Sequence, residues 1–144
     1  MDGQALPLAV HVSAGQRHES SQFEETLNAV RIPQPVGRPR TRPKRLAGDK
    51  GYSYPAIRDW LRNHHIQAVI PQREDQRKRH RGRPLSFDKA AYRQRNVIER
   101  CVGWLKECRA VVTRFDKLAV NFLATVKLAI IQRYLRILRP SDTA

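Results

Sequence analysis

Acidic residues are scarce in this chain: 13 Asp and Glu stand against 28 Lys and Arg in 144 residues, a formal net charge of +15. So lopsided a balance points to a polyanionic partner, of which nucleic acid is the commonest. A ribosomal-type protein or a binder of acidic surfaces would share it. Cysteine is scarce too. Cys101 and Cys108 are seven apart in a segment that reads as helical, or about 10 Å along one straight helix. That is too far for a disulfide, and without a companion ligand pair two cysteines make no zinc site. A reduced, cytoplasmic compartment is the expectation. Long apolar runs are missing as well. Met1-Asp2-Gly3-Gln4 has no basic, apolar leader. The most apolar stretch, Leu118 to Leu138, is interrupted by Lys127, Gln132, Arg133 and Arg136, which predicts a buried helix rather than a membrane span.

What is present suffices for one domain with one core, since 40% of the residues are hydrophobic. Asp2-Gly3 is turn-like, and Leu6, Leu8, Val10 and Val12 alternate, predicting a strand over 6–12 that forms the second half of a hairpin. Phe23, Leu27 and Val30 share a helical face, with Ser20 or Ser21 as the N-cap. Residues 31–45 hold four prolines and six basic residues without an acid, a linker-like loop. A short strand over 45–48 ends at Asp49. Pro55 opens a helix to Asn63 with Ile57, Trp60 and Leu61 on its apolar side. Ile66 to Ile70 reads as a further strand closed by Pro71, and His64-His65 as a helix end. Residues 72–84 read as a basic mobile loop, and 88–109 and 118–138 as long helices. Strands alternating with helices indicate an α/β domain.

The chemistry-bearing residues lie on the first long helix. With about 100° per residue, Tyr92, Arg95, Glu99 and Lys106 fall within an arc of roughly 60°, opposite Val97, Ile98, Cys101, Leu105 and Cys108. A solvated face with an Arg95–Glu99 pair would produce part of that pattern. It does not require a tyrosine before the acid or a lysine two turns after it. Asp49 taken alone is an ordinary Asp-Lys-Gly turn, yet the end of a strand is where α/β sheets place functional groups. Asp59 sits between Arg58 and Arg62 and reads as a surface pair.

The series Tyr92, Arg95, Glu99, Lys106 resembles the signature around the third acid of insertion-sequence DDE transposases. Ala47-Gly48-Asp49-Lys50-Gly51-Tyr52 resembles the segment that holds the family's second acid. Gly3 to Val10, Ala14-Gly15-Gln16-Arg17-His18-Glu19, Arg95-Asn96-Val97-Ile98-Glu99-Arg100 and Thr113-Arg114-Phe115-Asp116-Lys117-Leu118-Ala119 are similar to family text. The resemblance spans nearly the whole chain. It implies a ribonuclease-H-like fold, here incomplete: an α/β arrangement of about three strands with helices packed on the sheet. Residues 1–140 would be one partial catalytic domain with basic loops at 31–45 and 72–84, and 141–144 a tail.

The resemblance also implies a bacterial DNA-transposing enzyme whose three carboxylates bind two divalent ions, Mg²⁺ or Mn²⁺, and which cuts and joins DNA at element ends. Asp49 and Glu99 are then metal ligands, Arg95 and Lys106 hold DNA phosphates, and Tyr92 contacts the DNA end or packs beside Glu99. Arg38, Arg40, Arg42, Lys44 and Arg45 in the first loop, and Arg79, Arg81 and Arg83 in the second, are the expected DNA-binding residues. The family's first aspartate precedes the hairpin that this chain enters midway, and Asp2 matches the hairpin turn instead. An upstream segment is therefore expected to complete the enzyme, either across a frameshift or lost in a truncated remnant, and the isolated chain is expected to be inactive. A homo-oligomer is left open, and no membrane partner is expected. The rival is a non-enzymatic DNA-binding protein, because Gly37-Arg38-Pro39-Arg40 and Arg81-Gly82-Arg83-Pro84 resemble AT-hook cores.

Overall fold

A computed structural model describes residues 1–79, 82 and 84–139, apart from the side chains of Glu19 and Arg79. The expected positions Arg81 and Arg83 and the tail 141–144 lie outside the described residues. Two compact units are present: residues 17–95 form one, and residues 1–16 together with the chain from 96 onward form the other.

The first unit is built around a parallel strand pair joined by a helix. A 3₁₀ turn Glu19–Gln22 and helix α1 (Phe23–Asn28) lead in. Gln22, rather than Ser20 or Ser21, stands at the N-cap of α1 and makes no side-chain cap bond; His18 caps the 3₁₀ turn before it, its Nδ1 accepting from the Ser20 N–H at 3.3 Å. Strands β1 (Arg45–Ala47) and β2 (Gln67–Val69) pair in parallel with Leu46 opposite Ala68. Helix α2 (Pro55–Asn63) makes the crossover. Tyr54 is extended, as a residue before proline must be, and Pro55 takes the first helical position, where its missing N–H costs nothing.

The end of α2 is fixed by a Schellman arrangement. The His65 N–H donates to the Arg62 carbonyl at 3.0 Å and the Ile66 N–H to the Leu61 carbonyl at 2.9 Å. His65 takes φ 55 to do so. The turn delivers Ile66 into the core beside Leu61, which is fully buried, with Phe23, Ile57 and Ile70. Arg58 Nη2 donates to the Ile70 carbonyl at 2.8 Å and ties α2 to the exit of β2.

Helix α3 (Glu74–Arg79) occupies part of the segment expected to be a plain loop. The expected long helix over 88–109 is divided into α4 (Lys89–Arg93), a 3₁₀ turn Gln94–Asn96 and α5 (Val97–Glu107), followed by α6 (Arg109–Thr113). Asn96 is a weak helix former whose side chain competes for backbone bonds, and Val97 and Ile98 are β-branched. Both weaken a continuous helix there. Cys108 is extended between α5 and α6, and Arg114 ends α6 at φ 43.

In the second unit the described chain 6–12 forms no strand. Asp2 does make a turn, its Oδ1 accepting from the N–H groups of Gln4 and Leu6 at 2.9 Å each. Residues 6–10, however, are all half-buried instead of alternating, and no strand pairs with them among the described residues. Among the described residues the sheet thus has two strands, not about three: a mixed, mainly helical α/β arrangement. The Tyr134 hydroxyl donates to the Pro7 carbonyl at 2.9 Å and holds this segment to helix α7 (Ala119–Leu138). Helix α7 was expected to be buried. Only Val126 and Ala129 of it are, while Leu128, Ile131, Leu135 and Leu138 stand exposed. No helix among the described residues is long and apolar enough to cross a membrane.

Candidate DNA-processing site

Asp49 leaves the C-terminal end of β1 through buried Gly48, whose N–H donates to the Val69 carbonyl at 3.3 Å. A Cβ at Gly48 would sit 3.4 Å from Ile70 Cγ1, at the near edge of ordinary contact with the core. The half-buried Asp49 then caps a 3₁₀ turn, Lys50–Tyr52. Its Oδ1 accepts from the Gly51 N–H at 2.7 Å, which fixes the carboxylate plane and leaves Oδ2 without a partner among the described residues. Gly51 must be small: an added Cβ would lie 2.9 Å from that Oδ1.

The turn is braced from the other strand. Arg73 follows the exit of β2, donates through Nε to the Lys50 carbonyl at 3.2 Å and through Nη2 to the Tyr54 hydroxyl at 3.3 Å, and lies 4.8 Å from the centre of the Tyr54 ring. The Ser53 hydroxyl donates to the same Lys50 carbonyl at 2.8 Å, and Ser53 is buried. His18 meets the Tyr54 ring edge-on at 5.7 Å. Sequence reasoning missed Arg73 and Tyr54. The available signal was a basic residue just past Pro71, at the same end of the parallel pair as Asp49.

Tyr92 and Arg95 also belong to the unit 17–95. The Arg95 guanidinium lies 5.6 Å from the Tyr92 ring centre, and Phe87 packs on that ring at 5.2 Å. Asp88 caps α4 by accepting from the Ala91 N–H at 2.9 Å. Glu99 and Lys106 belong to the other unit. Both are exposed on α5, and their seven-residue spacing returns to within about 20° of one face. Cys101 is buried on the opposite side, and that burial pushes its thiol above the usual range, against the pull of the N-terminal amine and Arg133. Because α4 and α5 are separate helices, one wheel does not run through all four signature residues; it holds for Glu99 and Lys106. Their places also suit the helix dipole, with an acid in the first turn and a cation in the last.

The first basic loop is not structureless. Ile32 and Arg40 form an isolated antiparallel bridge, with N–H···O distances of 2.9 and 2.8 Å. Gly37 turns the tip at φ 92. Arg38, Arg40, Arg42 and Lys44 are exposed. Arg45 lies 3.8 Å from Asp88, so part of its charge is answered within the unit. Arg79 ends α3.

A carboxylate with one oxygen oriented and the other open is a suitable donor for a hard divalent cation. No cluster of three or more His, Cys, Asp or Glu that could hold a metal ion occurs among the described residues. No curated protein and no solved structure matches the chain. The family described as "Transposase DDE domain" matches residues 1–132. With that match spanning nearly the whole sequence, and Asp49 and Glu99 both inside it, the chain belongs to the transposase DDE domain family as an insertion-sequence DDE transposase.

Proposed function

We propose that this chain supplies two of the three carboxylates, Asp49 and Glu99, of a two-metal centre that cuts DNA at element ends and joins the freed ends to a target. DNA transposition is the activity of the family, and DNA is its substrate. The observation that carries the finer reading is the seat of Asp49: the end of a parallel strand, Oδ1 held by the Gly51 N–H, and the turn braced by Arg73. Open α/β sheets place ligands at that end of their strands. The reading includes an incomplete ribonuclease-H-like fold completed by an upstream segment that bears the first aspartate.

Asp49 and Glu99 would hold the ions, Mg²⁺ or Mn²⁺. Bound there, such ions would supply activation of an attacking oxygen and stabilisation of the leaving one in phosphodiester displacement. The chain's remaining residues bind and orient. Arg95 and Lys106 hold backbone phosphates by charge-assisted hydrogen bonds. Tyr92, with Phe87 and Arg95 both against its ring, gives Arg95 a platform and meets the DNA end. The basic loop 31–45 grips flanking duplex.

The test uses the complete transposase with a donor DNA bearing element ends. Asp49→Asn and Glu99→Gln should each lower end cleavage by about 10²–10³-fold, the order expected when a group that stabilises transition-state charge is removed, with DNA affinity nearly unchanged. Cleavage that survives both changes would remove the two-metal assignment. DNA binding by the chain that ignores both Mg²⁺ and these substitutions, with no cleavage in the complete protein, would favour the hook-like binding protein.

A further inference from the structure

The clasped loop and the helices beneath it border an open pocket of about 250 Å³ in the unit 17–95. Its exposed lining is polar and cationic, with Arg31, Arg42, Asn28 and Thr41; its covered lining is apolar, with half-buried Trp60 and buried Ile66. No acid lines it. The Ile32–Arg40 bridge sets residues 31 and 41 across from one another, so the two ends of the loop deliver their cations to the same opening.

Arg31 is already held in place. Its Nη1 donates to the carbonyls of Asn28 at 2.6 Å and Val30 at 2.7 Å, while Nε and Nη2 have no partner among the described residues. Arg42 forms no ion pair among the described residues. A guanidinium whose rotamer is fixed before binding loses less entropy when it meets an anion. Trp60 is fixed as well: His64 stacks on it at 3.7 Å and Phe23 meets it edge-on at 5.5 Å. It therefore offers the pocket an indole edge and an apolar wall rather than a free face for stacking.

We propose that this pocket is a phosphodiester site: Arg31 and Arg42 take one DNA backbone phosphate, Asn28 and Thr41 add polar contacts, and the adjoining sugar lies on Trp60 and Ile66. The site anchors the base of the basic loop on the duplex. It needs no metal and no carboxylate, so it deepens only the DNA-binding half of the proposed function and stands or falls apart from the two-metal half.

The test measures binding of the whole chain to a labelled duplex by fluorescence anisotropy, at several salt concentrations, without divalent ions. Arg31→Ala with Arg42→Ala should weaken binding about tenfold or more and lower the slope of log affinity against log salt by about 1, the value for one lost phosphate contact. Arg31→Lys with Arg42→Lys keeps the charge but loses the planar fork, and should recover only part of the affinity. In a Trp104→Phe background Trp60 is the one indole left; duplex addition should then shift its emission, and the double alanine variant should not show that shift. Inorganic phosphate alone should produce the same shift only at far higher concentration. The proposal is overturned if Lys117→Ala with Arg139→Ala, exposed cations of the other unit, weakens binding equally. It is also overturned if Trp60 does not respond to DNA, or if free phosphate fills the pocket and duplex fails to displace it. Melting curves of each variant check that a loss is not unfolding.

Discussion

Asp49 shows how little room the carboxylate proposed to hold a metal ion has. With an added Cβ 2.9 Å from Oδ1, Gly51→Ala must rotate or push the carboxylate, and is expected to cut end cleavage by the complete transposase at least tenfold while shifting the melting temperature little. His65 behaves in the opposite sense. A histidine at φ 55 carries strain that glycine does not, so His65→Gly should raise stability by up to about 1 kcal/mol, read as a higher urea midpoint. The buried Cys101 thiol and the Tyr134 phenol are both held above their ordinary values of 9.0 and 10.0, in each case chiefly by burial. The folded chain keeps these protons longer than the unfolded chain does. Their contribution is therefore full below about pH 9 and is lost as pH rises through the folded values. The urea midpoint should fall steadily above pH 9, and at pH 7.5 Cys101 should react with a thiol reagent more slowly than the half-buried Cys108. Asp49 was legible in the sequence because acid, glycine and strand end are neighbours in the chain. Arg73 was not, because its partners lie 23 and 19 residues away.

Helix α2 was readable to its bounds, since Pro55 marks its start and Ile57, Trp60 and Leu61 give one apolar side. The two short strands were readable from their flanks. The strand expected over 6–12 fails for a different reason: alternation describes a segment, whereas a strand requires a neighbour. The long helix over 88–109 was legible as helical periodicity, but its interruption at Gln94–Asn96 was not, because a three-residue 3₁₀ turn barely disturbs that periodicity. Leu61, with no exposed surface, is the centre of the first unit. Leu61→Ala should cost about 2–5 kcal/mol, enough to unfold that unit in mild urea. Tyr134→Phe removes one bond between α7 and the Pro7 carbonyl and should cost only about 1 kcal/mol, visible as faster amide exchange in residues 1–16.

The formal charge of +15 was plain from composition and remains the strongest statement about the partner. If some six phosphates are neutralised, duplex affinity should drop about 10³-fold between 50 and 200 mM salt, a titration that anisotropy reads directly. The division into two units was not legible. One of them joins residues 1–16 to the chain beyond 95, and hydrophobic periodicity records local faces without recording which distant segments close on each other.

The brace from Arg73 to the Lys50 carbonyl makes the exits of the two strands a single mechanical piece. Heredity should see it as one. A genetic selection for restored element hopping in a Gly51→Ala background should return second-site revertants around Tyr54 and Arg73, and few along the arginine-rich loop.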